Sequence, residues 1–182
     1  MRFPAAAVVG TLLAIVALAR LAGVLLHEPM LAFANQYDMV RTGACLGLYP
    51  DVPDDRRLIA TPSAPIARYR LGPPVPEACY PGSEAVFAAA AVWHHRATDG
   101  AGEAFPALRH VGLAKAGFAA LVIVALGVAF WSFPFAALVH GTVALAVVAD
   151  PAVSLWLQTL YAEFPILFGL YVFQSWGARY AG

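Results

Sequence analysis

The chain has 182 residues, of which 61% are hydrophobic and only 12% charged, and its mean hydropathy is +0.71. Soluble domains carry about 25% charged residues, so this composition excludes an ordinary water-soluble protein and favours a bilayer as the solvent. The formal net charge is zero, so no basic field predicts nucleic acid as a partner.

The first apolar segment, residues 4–26, predicts a transmembrane helix. It reads PAAAVVGTLLAIVALARLAGVLL and exceeds the ~20 residues that cross the hydrocarbon core. Its single charge, Arg20, lies near enough to the end for the side chain to reach the interface. A signal peptide is the alternative, because the AFA triplet at 32–34 resembles a cleavage site. The apolar run is longer than signal peptides use, which favours an uncleaved anchor.

Residues 27–110 are predicted to form a long loop outside the membrane. The only two cysteines, Cys45 and Cys79, lie in it, and a pair with none left over is typical of an oxidising compartment. We therefore expect a disulfide, with two reduced thiols as the alternative. The proline-rich stretch between the cysteines is expected to have few helices or strands and little core of its own.

Two short helices are expected in this loop, and both could lie along the membrane surface. One covers about 31–43. The other follows Ser83 as its N-cap, with Glu84 in its first turn and basic residues at its end, an order that suits the helix dipole. Val86 and Trp93 belong to its apolar stripe, which is typical of interfacial helices.

Three further apolar segments predict transmembrane helices at about 111–130, 133–149 and 152–173. Arg2 before the first span and Arg179 after the fourth both favour the cytoplasmic side, because positive charge is retained there. The predicted fold is therefore an all-α polytopic membrane protein with about four transmembrane helices.

The predicted location is a bacterial-type inner membrane. The chain divides into a first transmembrane helix (1–26), an extracytoplasmic loop (27–110) and transmembrane helices two to four (111–182).

Polar side chains are concentrated in NQYDMVRTGAC, residues 35–45, directly after the first span. In the predicted topology, Asp38 in this stretch and Asp150 at the outer end of the third span face one water–lipid boundary. Carboxylates there can act as a base or hold a divalent ion, and cations can bind phosphate. The cations expected at this level are Arg41, Arg109, His110 and Lys115.

This layout resembles the GT-C class, multipass glycosyltransferases that use lipid-phosphate-linked sugars. The resemblance lies in the outward first helix, the interfacial helices, Asp38 in QYDMVR, Asp150 in VADPAV, and the helix DPAVSLWLQTLYAEFPILFGLY. It implies that Asp38 is the base that activates the acceptor, and that Asp150 binds a metal or shapes the donor site. The sequence assigns no set of metal ligands and no definite cofactor. A divalent metal ion is the candidate cofactor. The resemblance covers about 150 residues, the N-terminal portion of such an enzyme.

Structural roles are the alternatives for both acids. Asp38 can pair with Arg41 one helical turn away, and Asp150 can simply end a helix, since the residue before Pro151 avoids helical geometry.

Two ionisable residues are predicted inside the membrane. Glu163 lies twelve residues into the predicted fourth span, and His140 in the third span is its candidate partner. Such groups are functional hypotheses by default because burying them in hydrocarbon is costly. We expect the Glu163 side chain to face other helices rather than lipid. Its functional role would be to line a polar cavity; the structural alternative is that Glu163 and His140 only hold helices together.

The sequence thus predicts a glycosyltransferase-like membrane protein, or the N-terminal module of one, that transfers a sugar from a lipid-phosphate donor at the outer face. A non-catalytic membrane subunit whose outer loop docks a protein partner is the alternative. A transporter component that uses Glu163 and His140 is a third. Many more apolar spans encoded after residue 182 would favour the first.

Overall fold

The computed structural model describes residues 5–33, 37–52, 65–98 and 104–181, without the side chains of residues 37, 38 and 181. Helices dominate these residues, and two short strands accompany them. The elements in chain order are α1 (Ala5–Leu26), α2 (Tyr37–Leu46), β1 (Leu48–Pro50), β2 (Tyr69–Leu71), a 3₁₀ turn (Pro76–Ala78), α3 (Glu84–Thr98), α4 (Ala107–Phe130), α5 (Pro134–Val143), a π-helical turn (Ala144–Val148), α6 (Pro151–Ser154) and α7 (Glu163–Ala181). The mostly helical fold predicted from the sequence is confirmed.

Among the described residues, α1 and α4 are the two helices that are long and apolar enough to cross a membrane, by length and composition. They have 22 and 24 residues, hence lengths of about 33 and 36 Å at 1.5 Å per residue. A hydrocarbon core is about 30 Å thick. α1 matches the predicted first span, and α4 begins four residues before the predicted second span.

The predicted third span is shorter as a regular helix. α5 covers ten residues, and the π-helical turn continues it to Val148. Pro134 is the first residue of α5, a position where its missing N–H costs nothing because no helical partner exists there.

The predicted fourth span is wrong as a continuous helix over 152–173. α6 ends at Ser154, turns follow, and α7 begins only at Glu163. Pro165 lies in the first turn of α7, where no N–H is needed for a helical bond. Glu163 is therefore at a helix start and exposed, not within a span and facing other helices.

The chain separates into two compact units. Unit 1 contains residues 1–24, 116–154 and 163–182, and unit 2 contains residues 25–115 and 155–162. In unit 1, α1 and α5 touch backbone to backbone: a side chain added at Gly10 would collide with the Ala137 carbonyl, and one added at Gly141 with the Gly10 carbonyl. Small residues permit such close approach between apolar helices.

Unit 2 has a hydrophobic core, to which the stretch between the two cysteines contributes only Leu48 and Tyr69 among the fully buried described residues. β1 and β2 form an antiparallel pair in which Leu48 faces Leu71, and Tyr69 also bridges to Phe105. The buried core comprises Met39, Leu48, Tyr69, Ala88, Ala91, Val92, Phe105, Ala107, Leu108, Val111, Leu160 and Tyr161. The helix expected at about 31–43 is α2, which begins six residues later.

α3 confirms the helix predicted after Ser83. Its inner face buries Ala88, Ala91 and Val92, whereas Val86 and Trp93 of the predicted stripe are 71% and 72% exposed. Both faces of this helix are therefore apolar over most of its length.

The predicted disulfide is confirmed. Cys45 and Cys79 are bonded, with their Cα atoms 4.5 Å apart, within the usual range for a bridge. The bond joins α2 to the segment after the 3₁₀ turn, and the Tyr80 N–H donates to the Arg41 carbonyl beside it. The end of α2 is thereby held at two points.

Replacing Cys45 and Cys79 together by serine should lower the free energy of unfolding by roughly 4 kcal/mol, the chain-entropy value for a closed loop of this length. Denaturant titration of the detergent-solubilised protein, followed by circular dichroism, measures the change. A reductant should destabilise the wild type similarly and leave the double variant unchanged. Equal stability of wild type and variant would contradict a stabilising role for the bridge.

If α4 crosses a membrane, Ser83 before it and Ser132 after it lie on opposite sides. We expect a membrane-impermeant maleimide to label Ser83→Cys in intact cells and Ser132→Cys only after permeabilisation, since the native cysteines are bridged and do not react. Thr98→Cys, also in unit 2, is the control and should behave as Ser83→Cys. Equal labelling at 83 and 132 in intact cells would show that α4 does not cross.

Candidate functional site

Residues 37–45 of the polar stretch lie in α2, the first element after α1. The backbone of Asp38 lies in its first turn, but the Asp38 side chain falls outside the described residues. Met39 and Thr42 are buried, so one face of α2 packs against the rest of unit 2. Arg41 is exposed, with its guanidinium 5.1 Å from the centre of the Tyr80 ring.

Stacking on Tyr80 restrains Arg41 without using its hydrogen-bond donors. A guanidinium held on an aromatic face retains planar N–H groups that can bind phosphate or carboxylate oxygens in pairs. Arg41 is thus the predicted phosphate ligand whose described geometry fits that chemistry best.

Arg109 and His110, at the start of α4, have partners within unit 2. The Arg109 Nη1 atom lies 2.5 Å from Oε1 of Glu28, and Nη2 donates a hydrogen bond to the His27 carbonyl. The His110 ring lies edge-on to His94, with ring centres 5.1 Å apart. Glu28 is 70% exposed, so this ion pair is a surface contact of small energy.

Lys115 is not the free phosphate ligand predicted from the sequence. Its side chain is fully buried, and its ammonium nitrogen lies 2.6 Å from Oε2 of the buried Glu84. It also donates to the carbonyl oxygens of Trp156 at 3.0 Å and Thr159 at 2.8 Å. An ammonium group has three N–H donors, and these three acceptors account for all of them.

The Lys115 contacts attach residues 155–162 to α3 and α4. Gln158 in the same segment donates to the Leu31 carbonyl, and Trp156 packs on Phe33 with ring centres 4.1 Å apart. A side chain at Gly112, one turn before Lys115, would collide with Gln158. The connection after α1, the start of α4 and residues 155–162 are thus held together by one polar centre.

Asp150 caps a short helix. Its Oδ1 accepts a hydrogen bond from the Ala152 N–H at 2.8 Å, and its carbonyl accepts from Val153 and Ser154. The structural alternative for this residue is that it ends a helix before Pro151; here it caps the start of the next helix instead. The capping hydrogen bond from Ala152 uses only the Oδ1 oxygen of the Asp150 carboxylate.

Asp38 belongs to unit 2 and Asp150 to unit 1. Their convergence on one cavity stays a prediction.

His140 is buried, and its Nδ1 lies 2.8 Å from the Tyr171 hydroxyl. The proposed partner Glu163 is exposed at the start of α7. No described contact joins His140 to Glu163, and the contact with Tyr171 links α5 to α7 instead.

Glu84 is the charged residue whose role the sequence did not reveal. The sequence predicts a first-turn acid that suits the helix dipole, whereas Glu84 is the counter-ion of Lys115, 31 positions away. The available signal was Lys115 itself, because a lone lysine inside an apolar helix requires an anion or carbonyl oxygens nearby.

Among the described residues, no group of three or more His, Cys, Asp or Glu side chains could hold a metal ion. No family model, curated protein or solved structure matches this chain at a significant level. The geometry of its own residues therefore carries any functional proposal.

Replacing Lys115 by methionine should lower the free energy of unfolding by about 3–5 kcal/mol, because Glu84 is left as a buried charge without its counter-ion. Adding Glu84→Gln should recover much of the loss. The measurement is denaturant unfolding of single and double variants as a double-mutant cycle.

Asp51→Asn is the control for this cycle. It breaks an ion pair of equal length, 2.6 Å to Arg70, that is solvent-exposed, and should cost less than about 1 kcal/mol. Strictly additive losses from Lys115→Met and Glu84→Gln would contradict the buried pair.

Proposed function

We propose that this chain is a membrane glycosyltransferase-like protein of the GT-C type, or the N-terminal portion of one. It transfers a sugar from a lipid-phosphate donor at the outer face of a bacterial-type inner membrane. Unit 2 is the extracytoplasmic part, and Asp38 is the general base for the acceptor.

The observation that carries this proposal is the placement of Asp38 and Arg41 on α2. This helix begins eleven residues after the last residue of α1, so both positions stay within reach of the membrane boundary. Residues three apart on a helix share a face, so positions 38 and 41 lie on the same face of α2, and Arg41 is exposed and stacked on Tyr80. A base and a phosphate-binding cation are the two groups that transfer from a lipid phosphate requires.

The disulfide supports the extracytoplasmic placement of unit 2. Cys45 lies in the last turn of α2, one helical turn after Arg41. Stable disulfides persist in oxidising compartments and are rare in the cytosol. The bridge also restrains the helix that bears the proposed base, as a preorganised site requires.

Asp150 is the second acid in this proposal. The cap at α6 uses Oδ1, which leaves Oδ2 to shape the donor site or to bind a divalent ion. The capping hydrogen bond would hold the carboxylate in one orientation.

A non-catalytic subunit that docks a protein partner through unit 2 is the second candidate. The observation in its favour is that two of the four predicted phosphate-binding residues are used internally: Lys115 by Glu84, and Arg109 by Glu28. A folded, disulfide-bonded unit suits docking as well as catalysis.

Replacing Asp38 by asparagine should abolish sugar transfer, because the amide cannot accept the acceptor's proton. The assay follows transfer from polyprenyl-phosphate sugars in membranes that contain the protein with this chain. Glu77→Gln removes another exposed acid of unit 2 and should leave transfer unchanged. Formation of the Cys45–Cys79 bridge verifies folding of each variant.

Full transfer by the Asp38→Asn variant would refute the catalytic assignment. If neither protein transfers sugar, but the intact protein recovers a defined partner that a unit 2 variant loses, the docking function is supported instead.

A further inference from the structure

The last turn of α7 carries an arginine that contacts two aromatic rings of unit 1. The Arg179 guanidinium carbon lies 4.8 Å from the centre of the Phe133 ring and 5.4 Å from the centre of the Trp176 ring. Both distances are within the roughly 6 Å at which a cation is attracted to the face of a ring. Arg179 is half-buried, so the two rings restrain the guanidinium while part of it still reaches the surface.

Unit 1 has no carboxylate near this cation. The sequence of unit 1 contains two acids, Asp150 and Glu163. Glu163 is the first residue of α7 and Arg179 lies in its last turn, which separates them by about 24 Å along the axis at 1.5 Å per residue. Asp150 follows the π-helical turn at the far end of α5 and caps α6. Within the described part of the chain, Arg179 forms no ion pair, and its N–H groups can serve an anion.

The surface around Arg179 is aromatic and lies at the end of α4. Trp176 packs on Phe130, the last residue of α4, with ring centres 6.0 Å apart. The exposed aromatic residues at this end have between 38% and 75% of their surface accessible: Trp131, Phe133, Phe135, Trp176 and Tyr180. Tryptophan and tyrosine beside a cation are typical of a membrane–water interface, where the rings lie at the level of the lipid headgroups.

The chemistry of this end fits an anionic lipid. In the proposed topology, the turn after α4 is on the cytoplasmic side. The cytoplasmic leaflet has a negative surface potential, and basic pockets between transmembrane helices on this side bind anionic headgroups. Rings that cover the face of a guanidinium leave its edge free, and the N–H groups of that edge bind phosphate oxygens in pairs.

We propose that Arg179, Phe133 and Trp176 form a binding site for the phosphate of an anionic phospholipid in the cytoplasmic leaflet. The Arg179 guanidinium donates to the phosphate oxygens, and the two rings hold it in position. The exposed rings of Trp131 and Tyr180 contact the glycerol and upper acyl region of the same lipid. The inference rests on the membrane location in the proposed function, and not on sugar transfer.

Binding is measured on the whole chain by native mass spectrometry after release from nanodiscs that contain equal amounts of phosphatidylglycerol and phosphatidylcholine. Both lipids have a phosphate and two acyl chains, but phosphatidylglycerol alone has a net negative charge. We expect each chain to retain one phosphatidylglycerol in preference to phosphatidylcholine. Arg179→Gln should reduce this preference about fivefold, the ratio for one arginine near an anionic membrane surface. Circular dichroism verifies the folding of each variant.

Arg20→Gln is the matched control for the charge. Arg20 is also an arginine of unit 1, exposed on α1, but no ring contact is present for it in the described part of the chain. Its replacement should leave the retention of phosphatidylglycerol unchanged. Arg179→Lys retains the charge without the planar pair of donors, and should keep only part of the preference. Equal losses in Arg20→Gln and Arg179→Gln would show that net charge alone attracts the lipid, and would overturn the site.

Phe133→Leu tests the aromatic part of the site because it retains the charge of Arg179 but removes one ring. It should reduce the preference about twofold to fivefold, as the loss of a cation–ring contact predicts. Phe135→Leu is the control: it removes an exposed ring two positions away that does not contact Arg179 among the described residues. If Phe133→Leu retained the lipid as the wild type does, the assignment of a built site would be wrong.

Inorganic phosphate separates a lipid headgroup from a soluble anion as the ligand. Added to the nanodiscs at millimolar concentration, it should not displace phosphatidylglycerol, because it lacks the acyl chains. Displacement would assign the site to free phosphate and overturn the lipid. If maleimide labelling shows that α4 crosses the membrane but no phosphatidylglycerol is retained, this inference fails and the membrane location stands. If α4 does not cross, the membrane location fails as well.

Discussion

The buried pair of Lys115 and Glu84 is the interaction on which unit 2 depends. Two charges removed from water require each other and further hydrogen bonds, because neither can be buried alone at tolerable cost. Lys115 meets this requirement with one carboxylate and two backbone carbonyls from residues 155–162. Three segments far apart in sequence are thereby fixed in one place, with Gln158 and Phe33 packed around them. The hydrophobic core of unit 2 and its disulfide bond add further stability to segments that this ion pair holds together.

The same requirement separates structural from functional charge in this chain. Lys115, Glu84 and Arg109 have protein partners, and Asp150 caps α6. Arg41 rests on an aromatic ring and keeps its donors. The proposed catalytic role uses α2, where the backbone positions of Asp38 and Arg41 are one turn apart, while Lys115 and Arg109 pair with acids of unit 2.

In unit 1 the decisive constraint is backbone contact between α1 and α5. Gly10 and Gly141 allow the two helices to meet without intervening side chains. Elsewhere α1, α4 and α5 leave the apolar cavity that ends at His140. The contact of His140 with Tyr171 holds the imidazole from behind. His140, the predicted partner of Glu163, is thus placed by a tyrosine of α7 instead.

The sequence alone determined α1 and α4, the helix after Ser83 and the pairing of Cys45 with Cys79. These features depend on local or singular information: an unbroken apolar run, a cap followed by helix formers, and the only two cysteines in the chain. It also placed Asp38 and Arg41 on one helix. The role of Lys115, the break between α6 and α7 and the placement of Glu163 were decided by tertiary structure. Their physical cause is non-local: the carbonyls of residues 156 and 159 bind a lysine more than forty positions away, which favours turns over a continuous helix. The pattern of apolar residues along residues 152–173 does not indicate a partner so far away in the sequence.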